Sequence, residues 1–155
     1  MILIIIFKKA MQFHAQDFPI VWLDRSRPDG QQPTDIFATL DQLLLQQRPF
    51  VFIAKEPAPT ELDLHARIIR KMAALWVKDN RLQIRQLIRG TIVIAPQAEQ
   101  QRYLDEFAPR FEKFWGYPLR HRPDHEAALS LAADLLAGPP AAGSVNRRRA
   151  IRNRG

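Results

Sequence analysis

A chain of 155 residues, 46% hydrophobic and 25% charged, has the size and balance of one globular domain that buries its own core, which excludes a wholly disordered chain, a collagen-like repeat and a multi-pass membrane protein. With no cysteine, disulfide scaffolds, thiolate metal sites and cysteine nucleophiles are excluded as well, in keeping with a cytoplasmic location. The formal net charge of +7 resides at the two ends. Lys8 and Lys9 in residues 1–10, and five arginines in residues 138–155, stand there without acids, while residues 11–137 are formally neutral. Net charge therefore gives no argument for a nucleic-acid partner of the folded body.

The chain opens on Met1-Ile-Leu-Ile-Ile-Ile-Phe7. A membrane-spanning helix needs about 20 apolar residues, so this run is too short to cross a bilayer. Its lysines follow the apolar run, the reverse of a secretory signal. Two readings of residues 1–10 remain: an added edge strand, or an extension upstream of a true start at Met11. Phe18–Leu23 is an apolar, β-branched and aromatic run, with Pro19 suited only to a strand start. The turn-rich Asp24–Gln32 bounds it. From Pro33, with Thr34 as cap, Ile36, Phe37, Leu40, Leu43 and Leu44 recur at helical spacing. Phe50–Ala54 then reads as a buried strand, broken by Lys55-Glu-Pro-Ala-Pro59.

Thr60-Glu-Leu-Asp63 has the form of a capping box. It introduces a long helical stretch to about Arg89, kinked near Asp79-Asn80, with Met72, Leu75, Trp76, Leu82 and Leu87 as its apolar surface. Gly90 closes that stretch before a strand over Thr91–Ala95. A helix follows from Ala98 to Trp115, in which Pro109 predicts a kink or a break. Tyr117–Arg122 is a weaker strand, and Asp124 caps a last helix through Leu136. The tail over residues 138–155, opening on Gly-Pro-Pro and running into arginines, has too few apolar groups to offset its ordering entropy. The order β-α-β-α-β-α-β-α predicts one α/β domain over residues 11–137. Its sheet is mostly parallel, four- to five-stranded and covered by helices.

Candidate sites are few. Arg67, Arg70, Lys71, Lys78, Arg81 and Arg85 fall near one face of the long helix, a stripe suited to an acidic partner or a phosphate-bearing ligand; such a stripe also serves as an ordinary solvated face. Thr60, at a strand-to-helix turn, is placed where backbone N–H groups favour a phosphate, or is simply an N-cap. Asp24 and Asp29 flank the turn after the first strand, where a phosphoryl-handling or receiver-like protein would hold Mg²⁺ or phosphate; pairing within the turn, with Arg25 and Arg27, is the plainer reading. The arginine tail is suited to RNA, anionic lipid or an acidic protein surface, or is a solvated extension without function, and it is the one segment suited to nucleic acid. His121 and His125 are separated by Pro123 and do not share a helix, and no serine sits at a nucleophile elbow. No catalytic residue, metal ligand or cofactor site is predicted, and a homodimer is left open.

Arg70-Lys-Met-Ala-Ala-Leu-Trp-Val-Lys78, Arg89-Gly-Thr-Ile-Val-Ile94, Tyr117-Pro-Leu-Arg-His121 and Asp124-His-Glu-Ala-Ala-Leu129 together resemble the SpoIIAA-like, STAS-type family. There a long helix with tryptophan and basic residues leads into an apolar strand, and a helix, a short strand and a final helix close the domain. The resemblance spans roughly residues 18–137. It implies a non-catalytic regulatory module that binds protein partners or small anionic or lipidic molecules. Thr60 occupies a place comparable to the phosphorylatable hydroxyl of related anti-sigma-factor antagonists, but Pro57-Ala-Pro59 stands where their Asp-Ser pattern would be.

Overall fold

The computed structural model describes residues 12–24, 33–55 and 64–139. These form β1 (Gln12–His14), β2 (Ile20–Asp24), α1 (Pro33–Leu45), β3 (Phe50–Ala54), α2 (Leu64–Asp79), α3 (Arg81–Leu87), β4 (Ile88–Ile94), α4 (Ala98–Trp115), β5 (Leu119–Arg122) and α5 (His125–Ala137). One five-stranded sheet takes the strands in chain order. β2 through β5 are parallel. β1 pairs antiparallel with β2, Phe13 opposite Leu23. The expected single α/β domain with a mostly parallel sheet is thus present.

Strand order explains how the helices divide. Right-handed crossovers that step along the sheet in one direction all land on the same face. Accordingly α1, α2, α3 and α4 share one face and its core, which includes Val21, Phe50, Phe52, Ile84, Phe111 and Trp115. α5 follows the last strand, needs no crossover, and crosses to the opposite face over β3, β4 and β5. There Ala128 and Ala132, both fully buried, seat it against Val51, Ile53 and Ile92. A five-stranded sheet is about 20 Å wide and a helix about 10 Å, so α5 alone leaves Ile20 and Trp22 of β2 half-buried.

Four local features depart from the sequence expectations. β1 is an additional short strand within residues that carried no strand signal, because three residues are too few to show alternation. α1 begins at Pro33, so Thr34 lies inside the helix; proline suits a first helical position, where its missing N–H has no intrahelical partner. β4 begins at Ile88, and Gly90 lies inside the strand rather than closing a helix. A Cβ at Gly90 would stand 3.2 Å from Leu135 Cδ1 and 3.2 Å from the Pro118 carbonyl, so the glycine is needed for close approach of α5 and the β5 turn. α4 continues unbroken through Pro109. Proline removes one helix donor, but Pro109 is exposed, and Phe107 and Phe111, both buried, hold the helix on either side of it.

The helix ends are satisfied as the sequence suggests. Asp124 Oδ1 accepts from the Ala127 amide at 2.8 Å, which caps α5. At its other end the Arg89 guanidinium donates to the Gly138 carbonyl, a cation at the negative end of a helix dipole. Burial lowers the Arg89 pKa from its ordinary value.

Tyr117 carries a prediction about alkaline stability. It lies edge-on to Phe111, centroids 5.4 Å apart, and hydrogen-bonds Thr91 in the same buried layer. Burial pushes its phenol far above the ordinary tyrosine range, and the Thr91 hydrogen bond opposes that only in part. In an unfolded chain tyrosine ionises near pH 10 (about 10 for model peptides). Above that pH the unfolded state binds fewer protons than the folded one. The contribution of Tyr117 is therefore whole below about pH 10 and declines above it, by about 1.4 kcal/mol per pH unit while the folded phenol stays neutral. In a Tyr103→Phe background, phenolate absorbance is expected to appear together with loss of helical circular dichroism. Phenolate in a still-folded chain would contradict this burial.

Candidate interaction surface

α2 forms because Leu64–Asp79 contains neither glycine nor proline and places Ala73, Trp76 and Val77 on one side. Phe37 of α1 packs on the Trp76 ring at 6.2 Å between centroids, and the Trp76 indole N–H donates to Asp41 Oδ1 at 2.7 Å. α1 is thereby fixed along one flank of α2. At Asn80 the backbone leaves the helix (φ −118, ψ 18). Its amide and its side-chain Nδ2 both donate to the Trp76 carbonyl, at 3.0 Å and 2.9 Å, closing α2, and its own carbonyl accepts from Ile84 to start α3.

The expected kink is present, and the helical phase survives it. Ile84 and Leu87 are buried eleven residues beyond Ala73 and Trp76, and eleven residues are close to three whole turns. The outward face is consequently continuous from α2 into α3. On or beside it Arg70, Lys71, Lys78, Arg81 and Arg85 are all exposed. None of the five forms an ion pair with a described residue. Asp79 is exposed on the opposite flank from Arg70 and Arg81. The Arg85 stem also packs at the end of α4: a Cβ on Gly116 would stand 3.5 Å from Arg85 Cγ. Gly116 has φ +87, a left-handed C-terminal position that favours glycine.

Leu75 and Leu82 were expected to face the core, and the structure reverses both. They are 63% and 74% exposed. Each lies more than a third of a turn from the centre of the buried line through Ala73, Trp76 and Ile84, so the core cannot reach them. Leu45, 68% exposed, is one turn beyond Asp41 on α1 and so leans toward α2. The sequence signal that could have found this surface is the seven-residue spacing of Leu75 and Leu82, out of phase with the tryptophan face.

Thr60, Asp29 and residues 140–155, with the arginine tail, lie outside the described residues, as do the side chains of Arg67 and Asp24 and the N-terminal residues 1–10. His121 and His125 are on opposite faces of the sheet. His121 Nε2 meets Asp105 Oδ1 of α4 at 2.7 Å. His125, opening α5, stacks on Trp22 with centroids 5.1 Å apart and planes 3° from parallel. Lys55 Nζ lies 5.2 Å from the Trp22 ring centroid, and the indole N–H donates to Asp17 Oδ2 at 2.9 Å. This cluster fastens the start of α5 to β2, and its members, spread from Asp17 to His125, carry no joint sequence signal.

An apolar void of about 20 Å³ lies between Phe52, Trp76, Thr91, Phe111 and Tyr117, room for about one water molecule. Among the described residues, no three histidines or acids stand close enough to hold a metal ion, and no helix is long and apolar enough to cross a membrane. Comparison with known proteins gives no match to a family model, to a curated protein or to a solved structure.

Proposed function

We propose that this chain is a non-catalytic regulatory and interaction module of STAS-like type, which binds a partner through the outward face of α2 and α3. The reading rests on one observation: five exposed cations stand along that face with no acid among the described residues paired to them. Exposed like charges on one helix repel one another, and an acidic partner removes that repulsion. The α/β architecture and the succession of its elements support the STAS-like part of the reading. Partner binding rather than chemistry is also what that resemblance implies.

The test is charge reversal at Lys71, Lys78 and Arg81 together, leaving Arg85 intact because it packs at the end of α4. Exposed substitutions of this kind change stability by about 0.5 kcal/mol or less each, so the fold is expected to persist by circular dichroism. Capture of partner from native lysate by the full chain is expected to be lost in the Lys71→Glu, Lys78→Glu, Arg81→Glu variant. Undiminished capture would overturn the assignment of this face.

A further inference from the structure

The exposed leucines and the exposed cations of this face are not mixed at random. Lys71, Lys78 and Arg85 are seven residues apart in succession, and Leu75 and Leu82 are seven apart between them. The order Lys71, Leu75, Lys78, Leu82, Arg85 has steps of four, three, four and three. That is the spacing by which one helix presents a straight seam to another helix, with leucine on one seam position and a cation on the other. The seam runs along the face pointing away from the sheet, because Ala73, Trp76, Val77, Ile84 and Leu87 are buried on the opposite side. It also crosses the Asn80 break in phase. Arg70 and Arg81 extend the charge on one flank, and on the other Leu45 of α1 adds a third exposed leucine.

We propose that this seam is the docking site for an acidic amphipathic helix of a partner protein. This deepens the reading given under Proposed function and rests on it. The partner helix would carry apolar residues seven apart to cover Leu75 and Leu82, with Asp or Glu between them to meet Lys71, Lys78 and Arg85. Charge complementarity selects the sign of the partner, and the interleaving selects its shape. A membrane-surface helix separates its apolar side from its cations so that one side sinks below the headgroups. Here cations and leucines share one line, so no apolar side stands clear of the charges. A second copy of the chain would bring the same cations to the seam and is disfavoured by like charge.

The probe is a synthetic helical peptide of about 21 residues, three heptads, with leucine on one seam position and glutamate on the other. The full chain is expected to bind it, and to ignore a peptide with lysine in place of glutamate. Leu75→Ser with Leu82→Ser is expected to weaken binding by about tenfold or more, as truncation of central apolar contacts does. Lys71→Glu with Lys78→Glu should weaken it similarly and flatten its salt dependence. If the glutamate peptide binds but the leucine variant binds it equally well, the helix-seam proposal is overturned and the basic face stands. The same holds if the peptide does not bind while lysate capture still depends on Lys71, Lys78 and Arg81. Leucine-dependent binding to phosphatidylglycerol vesicles without peptide binding also overturns it, in favour of a lipid surface. Sedimentation showing a dimer that the leucine variant dissociates overturns it in favour of self-association. Lysate capture that survives charge reversal removes both readings together.

Discussion

Phe111→Ala is expected to lower the unfolding free energy by about 3–5 kcal/mol, the range for an aromatic removed from a packed core. Phe111 is completely buried on α4. Its ring contacts Trp115 at 6.2 Å and Tyr117 at 5.4 Å between centroids. The residue therefore ties α4 to the turn before β5. Two features argue for the upper part of the range. A void of about 20 Å³ already adjoins the ring, so truncation would enlarge a gap rather than open a fresh one. The surrounding aromatics Trp76, Trp115 and Tyr117 are large and rigid, and collapse into the space poorly. Denaturant unfolding monitored by tryptophan fluorescence would show the midpoint falling at little-changed slope. A loss below about 1 kcal/mol would mean that α4 is not held where the structure puts it.

Ala128→Leu is expected to cost about 1–3 kcal/mol, although leucine is the more hydrophobic residue and a good helix former. Ala128 is completely buried where α5 meets the sheet, against Val51, Ile53 and Ile92. With a methyl group at that point and at Ala132, the helix backbone comes close to β3 and β4. Gly90 beneath Leu135 shows the same tight approach. A larger side chain lifts α5, and no second helix among the described residues shares its face. Hydrogen exchange should then accelerate at the amides of β3, β4 and α5 while α4 stays protected. Ser130→Leu, on the exposed side of the same helix, is the control and should leave stability nearly unchanged. Equal effects of the two leucines would refute the seating of α5.

Much of the fold was legible because it is periodic. Phe50–Ala54 is apolar throughout and becomes a strand buried on both faces. Ala98 and Trp115 bound α4 as their neighbours suggest, with Pro96 before it and Gly116 after. Where one residue type carried the inference, tertiary contacts overruled it. Gly90 looked like a helix stop and is a strand residue cleared for Leu135 and Pro118. Pro109 suggested a kink or a break, and the helix runs past it without a break, held by the aromatic packing around it. The basic residues of the interaction face were legible from their spacing. Leu75 and Leu82 were read with the core, because a leucine in a helix counts as a core residue until the core's own direction is known, and only their phase relative to Trp76 set them apart.

The sequence by itself determined that this is one α/β domain, where the four parallel strands lie to within a few residues, and that the formal charge of its body balances, since patterning and composition are local properties that survive without coordinates. Only the tertiary structure decided on which side of α2 and α3 the sheet would lie. The handedness of the crossovers chose the face of the sheet, and packing against that face and against α1, with the Trp76 indole on Asp41, fixed the rotation of the helices. That rotation sends Trp76 and Ile84 inward and leaves Leu75 and Leu82 among the cations outside. A helix has no inside until something packs against it.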